Sequence, residues 1–227
     1  RDPLWSRGLG DVYKRQRCTC ADPVSEKYDF LFDEIERQEF PAKFVVSVDV
    51  ADIKLLGPVL ATKHAGKIDL CIDHHGSHQD FAENSYVDST AAAACEIIYE
   101  VICRLGVVPD QVIAQAVYTG ITTDTGCFRY SNTTARTHEI AAQVIRTGID
   151  AGDINRRMFE TKTRARLEME RSVLDSIAFY FDARCAVMCI SRAMIEASGA
   201  DEGDLDGLSA IPVSYTHLRA HETREDL

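Results

Sequence analysis

The apolar run Lys67-Ile68-Asp69-Leu70-Cys71-Ile72 closes in Asp73-His74-His75, and the residues that follow are polar. A run of this length and composition predicts a buried parallel strand. A strand that ends in one carboxylate and two imidazoles delivers three metal- or phosphate-binding groups to a single sheet edge. In open α/β sheets that edge, outside the carboxyl ends of the strands, is where ligands bind.

The segment Phe44–Val50 reads as a second strand and delivers Asp49, so two strands end in carboxylates. Asp52–His64 fits a short crossover with some helix, with Asp52 as its cap. Tyr86-Val87-Asp88 is a brief third extended piece. Ser89-Thr90 offers a cap for a helix over Ala91–Leu105, whose Ile97, Ile98, Val101, Ile102 and Leu105 recur at helical spacing before Gly106. Pro109-Asp110 opens the next helix, which runs through Ala114, Val117 and Ile121 into the turn Thr122-Thr123-Asp124-Thr125-Gly126. Asp124 there reads either as a turn or cap residue or as a third functional carboxylate. Ser131–Thr134 caps a further helix, Ala135–Thr147. Asp153–Lys162 and Arg164–Ile177 are helical and heavily charged, and Ala183–Ile190 is a fresh strand. This alternation predicts an α/β fold with a mostly parallel sheet and helices on both faces.

Composition narrows the partners. A formal net charge of −11 argues against a duplex-DNA surface, which needs clustered Lys and Arg. It suits a small anionic substrate if metal ions supply local positive charge. Eight cysteines without a Cys-x-x-Cys pair, no secretory signal and no long apolar span predict a reduced, cytoplasmic protein without a membrane segment. The ends, 1–16 and 213–227, lack periodicity and read as translated adapter sequence, to be set aside from fold reasoning.

The remaining sequence resembles the DHH phosphoesterases, in particular the smaller members with a DHHA1 domain, the oligoribonuclease and 3′-phosphoadenosine-5′-phosphate phosphatase type. The resemblance rests on Val48-Asp49 with Asp52, Ile72-Asp73-His74-His75, Val87–Ala92 with Glu96, and Tyr118–Thr134, in that order. It implies residues 17–150 as a DHH domain lacking its first strand, 151–182 as a helical linker, and 183–212 as the start of a truncated second α/β domain, DHHA1.

The resemblance also implies a chemistry: hydrolysis of phosphate esters with two divalent cations, Mn²⁺ or alternatively Mg²⁺, that activate water. Asp49, His74 and Asp124 would be metal ligands. His75 would face the scissile phosphate, Asp73 would orient a ligating imidazole, and Arg129 would contact substrate phosphate. Substrates would be short RNA or a nucleotide phosphate, and the intact protein could be a homodimer. The family's H-x-x-P-D-x-D motif is absent from these 227 residues, so this chain itself is expected to be inactive or nearly so. Two other functions compete: a cyclic-dinucleotide phosphodiesterase, and a non-catalytic nucleotide-binding module that kept the sheet.

Overall fold

A computed structural model of the chain describes residues 17–21, 23–32, 41–205, 207–208 and 211. The terminal stretches read as adapter sequence lie outside these described residues. The chain divides into two compact units, Arg1–Phe159 and Glu160–Leu227.

The first unit is built on a three-stranded parallel sheet of order β1-β2-β3, formed by β1 (Val46–Val48), β2 (Leu70–Asp73) and β3 (Asn84–Val87). A 3₁₀ turn at Ile53–Leu56 and helix α1 (Gly57–His64) make the crossover from β1 to β2. Asp52 caps that turn by accepting from the Lys54 backbone N–H at 2.9 Å. The register pairs Val48 with Ile72 and Asp73 with Val87, so β1, β2 and β3 end side by side. The α/β class and the parallel sheet agree with the sequence, although β1 is shorter than the run Phe44–Val50.

Helices α2 (Ala94–Arg104), α3 (Gln111–Asp124) and α4 (Ala135–Ile145) follow. Helix α2 begins three residues later than the Ser89-Thr90 signal predicts, and Ala93 at its N-cap has no side chain with which to cap. Glu96 fills that role from inside the helix, accepting from the Ala92 N–H at 3.2 Å. Asp110 caps α3 through the Ile113 N–H, and Thr134 with Thr137 forms a reciprocal capping box on α4. The main core lies among these helices, with Ala114, Val117, Tyr118, Ile121, Ile140 and Val144 buried.

Helix α5 (Ala151–Asn155) packs on α3 and passes into a π-helical turn at Arg156–Glu160. The second unit holds α6 (Arg164–Ser176), an antiparallel hairpin of β4 (Ala178–Tyr180) and β5 (Cys185–Val187), α7 (Arg192–Ser198) and α8 (Glu202–Leu205). Its core is Met169, Val173 and Leu208, all fully buried. The stretch 151–182, expected as one linker, therefore splits: α5 belongs to the first unit and α6 to the second. The hairpin also replaces the single strand read at Ala183–Ile190. Three extended residues directly after a helix, without a breaker, leave no signature in the sequence.

One glycine fixes how closely α2 and α3 approach. A Cβ at Gly120 would lie 2.1 Å from the Cys95 Sγ and 3.0 Å from its Cβ. Gly120→Ala should therefore destabilise the protein by about 1–3 kcal/mol through overpacking, despite the better helix propensity of Ala. Cys95→Ala in the same background should recover part of the loss. Thermal unfolding of the two variants reads this directly, and an unchanged or raised Tm for Gly120→Ala contradicts the packing account.

Candidate functional site

Asp49, Asp73, His74 and His75 meet where β1 and β2 end. Asp49 follows β1 with φ 61°, a left-handed conformation uncommon outside glycine that Asp tolerates better than most side chains. Its N–H continues the ladder by donating to the Ile72 carbonyl at 2.9 Å.

Asp73 is fully buried at the last position of β2. Its Oδ1 accepts from the His74 backbone N–H at 2.8 Å and from the His75 Nδ1 at 2.7 Å, and its Oδ2 accepts from the His78 Nδ1 at 2.8 Å. Burial pushes this carboxyl up, but the hydrogen bonds from His75, His78 and the backbone outweigh it and hold it below the usual carboxylate range. The same contact acts on the partner ring. The hydrogen bond to Asp73 raises the His75 imidazole, burial opposes it, and the charges of Asp73, Asp49 and Asp124 add to the rise.

His74 is held differently. Its Nδ1 lies 3.2 Å from the Ala91 carbonyl, which can only accept, so this nitrogen carries the proton. The opposite nitrogen, Nε2, sits between two carboxylates, 3.3 Å from Asp49 Oδ1 and 3.6 Å from Asp124 Oδ2. Asp73, expected to orient a ligating imidazole, holds the rings of His75 and His78, while a backbone carbonyl orients His74. A sheet-end carboxylate points back along its own loop, whereas His74 reaches toward the segment after β3.

Asp124 is the last residue of α3 rather than part of a turn beyond it. Burial, and then the Asp49 charge, push its carboxyl up to about 6, with His74 and His75 opposing. Asn132 ties this helix end to the loop after β3, donating to the carbonyls of Asp124 and Ala92 at 3.1 Å each. Arg129 is exposed, with its Nε donating to the Gly126 carbonyl at 2.6 Å. Gly126 takes φ 54° beneath the Tyr130 ring, whose Cζ would lie 2.4 Å from an added Cβ.

The compact ligand group is Asp49, His74 and His75, whose donor atoms all lie within 4.8 Å of one another. Asp124 joins through His74. Asp49, Asp73, His74, His75 and Asp124, singled out from the sequence, gather here, and His78 was not among them. The signal that could have found it is Asp73 itself, since a buried carboxylate needs donors for both oxygens. Two nearby thiols stay neutral: burial, and then the charges of Asp124 and Asp49, push Cys95 up to about 12, and burial also raises Cys71.

Mixed imidazole and carboxylate donors at this spacing fit a divalent transition cation. The carboxylates around Arg136 are a useful contrast. Its guanidinium reaches Asp88 at 2.7 Å and Glu100 at 2.8 Å, with buried Glu96 at 3.7 Å, so the protein itself supplies a cation to that cluster. Asp88 is held down at about 2 by the Thr90 hydroxyl and by Arg136. Among the described residues, no Lys or Arg forms an ion pair with Asp49 or Asp124.

Asp124 makes the apo protein's stability depend on pH. The folded state favours its acid form, so its contribution is full below the ordinary value of 3.8 and is lost as pH rises through about 6. Asp124→Asn should stabilise the cation-free protein at neutral pH by about 1–2 kcal/mol, after allowance for solvent screening, and flatten this dependence. Denaturant melts at several pH values check it; an equal or lower stability for the variant at neutral pH contradicts the assignment.

Comparisons with known proteins place the chain in a family. Residues 8–121 match the DHH family, N-terminal domain, a match that starts inside the 1–16 stretch set aside above. The chain is 31% identical over 140 residues to the bifunctional oligoribonuclease and PAP phosphatase NrnA of Thermus thermophilus, covering 62% of this chain and 42% of that protein. It is 24% identical over 217 residues to the protein of the same name from Bacillus subtilis, covering 93% of this chain and 68% of the relative. Among solved structures, an exopolyphosphatase-related protein from Bacteroides fragilis superposes with TM-score 0.70 at 26% identity, over 78% of this chain and 53% of that one. The chain thus spans well under two thirds of the Thermus relative's length.

Proposed function

This chain belongs to the DHH family, and on that premise we propose that it forms part of a metal-dependent phosphoesterase acting on short oligoribonucleotides or on 3′-phosphoadenosine-5′-phosphate. The substrate class is taken from the names of its Thermus and Bacillus relatives. One observation carries the metal reading: the His74 Nε2 faces Asp49 and Asp124 while its Nδ1 proton is committed to a backbone carbonyl. In the neutral ring this leaves a nitrogen lone pair converging on carboxylate oxygens, an arrangement of acceptors that a cation satisfies.

Asp49, His74 and Asp124 would hold Mn²⁺, or Mg²⁺ in its place, with a second ion completing the pair. When bound, such ions activate water and neutralise phosphoryl oxygens. The chain's own side chains orient the substrate around them. His75 is fixed by Asp73 at its Nδ1 with its side chain 43% exposed, and its raised affinity for a proton suits it to donate to a phosphoryl oxygen. Arg129 stands in the open with guanidinium donors for a further phosphate. No helix among the described residues is long and apolar enough to cross a membrane.

The test has two parts. Calorimetric titration of the 227-residue chain with Mn²⁺ should show saturable binding, weakened more than about tenfold in Asp49→Asn and His74→Ala. Absence of binding removes the metal reading. The chain as it stands should hydrolyse little, because the H-x-x-P-D-x-D ligands are not in it. Extended to include that segment, it should turn over a dinucleotide and 3′-phosphoadenosine-5′-phosphate with Mn²⁺. Turnover of a cyclic dinucleotide alone would favour the phosphodiesterase, and turnover of none would favour a binding module.

A further inference from the structure

We propose that His78 is a positioning residue that acts through Asp73 to fix the orientation of His75. The functional meaning of this rests on the phosphate-facing role given to His75 above. The His78 side chain is only 9% exposed, and its Nδ1 lies 2.8 Å from Asp73 Oδ2. Asp73 is sealed from solvent, so neither oxygen can turn to water for a donor. Oδ1 is well supplied, by the His74 N–H and the His75 Nδ1. For Oδ2, His78 is the one hydrogen-bond donor found among the described residues.

The carboxylate is therefore a bridge between two imidazoles. Each ring donates its Nδ1 proton to a different oxygen, which fixes the carboxylate plane from both sides. Without the His78 bond, the carboxylate would hold a bare buried oxygen and would rotate to share the donors on the other side. His75, anchored only by Oδ1, would follow that rotation and lose the direction of its Nε2.

The ring of His78 does nothing else polar. Its Nε2 is buried with no partner, and its face lies against Phe81 with centroids 5.5 Å apart. With Nδ1 protonated toward an ionised carboxylate, Nε2 is a lone pair, and an apolar surrounding tolerates that better than an unpaired N–H. A residue that merely filled the loop could be any side chain of similar volume. A positioning residue must place a donor where Nδ1 now stands.

Imidazole ¹⁵N NMR of the full 227-residue chain, at a pH where the rings are neutral, decides between these. Both His75 and His78 should appear as Nδ1–H tautomers in the unmodified protein. In His78→Leu, His75 should become a tautomer mixture, with roughly tenfold faster exchange of its Nδ1 proton, as loss of one ordinary hydrogen bond implies. His78→Asn, whose amide nitrogen branches from the same carbon position as Nδ1, should restore the His75 signature. His78→Gln, with its donor one bond further out, should resemble Leu and provides a readout if the Leu variant does not fold. An Nε2–H tautomer at His75 in the unmodified chain overturns the proposal, and so does an unaltered His75 in folded Leu or Gln variants. Mn²⁺ titration of the same samples keeps the two readings apart. If no Mn²⁺ binds yet His75 still responds to His78, the phosphoesterase reading fails and the coupling stands.

Discussion

A carboxylate with no access to water must find every hydrogen bond it needs inside the protein, and Asp73 is in that position at the end of the central strand. An unpaired buried charge costs several kcal/mol, so the chain around it has little freedom. The loop after β2 curls back until two backbone N–H groups and two imidazoles surround the carboxylate. The backbone of the same residue anchors the neighbouring strand, because the Asp88 N–H donates to the Asp73 carbonyl at 3.0 Å. Asp88 in turn starts the segment whose Ala91 carbonyl orients His74. A single buried acid thus holds the rings of His75 and His78, and its backbone pairs with the segment that orients His74.

The two acidic clusters of the first unit show what distinguishes architecture from function. Around Arg136, three carboxylates converge and the protein supplies the cation. Asp88 is correspondingly easy to ionise. Around His74, the carboxylates of Asp49 and Asp124 converge with imidazoles and, among the described residues, with no Lys or Arg, and Asp124 is hard to ionise. Asp49 is held besides in a left-handed backbone conformation. Unusual backbone and uncompensated charge both lower stability, and their coincidence is what marks this cluster as the candidate site.

Most of this site was legible in the sequence because its residues stand at element ends. Strands that finish in carboxylates announce themselves, and so does a helix that runs into Thr122–Gly126, although Asp124 proved to be the helix's own last residue. Partnership was not legible. Which imidazole Asp73 holds depends on the path of a five-residue loop, and His78 carries no periodic signal. Small elements were also hidden. The start of α2 is blurred because Ala91–Ala94 offer no capping side chain, and the work falls to Glu96 two residues inside the helix. The hairpin of the second unit has strands of three residues each, too short to show alternation.

The distance between His74 and Asp124 is finally a matter of helix packing. Asp124 rides on α3, and α3 can approach α2 closely only because Gly120 leaves room for the Cys95 sulfur. Helix α2 starts where Glu96 catches the Ala92 N–H, one residue after the carbonyl that holds His74. Asn132 then closes the ring by donating to both the Ala92 and Asp124 carbonyls. The imidazole and the carboxylate, fifty positions apart in the chain, are therefore attached to two sides of one hydrogen-bonded frame. A shift of either helix would move the frame as a whole before it separated the two groups, which is the rigidity that a site built to hold a cation requires.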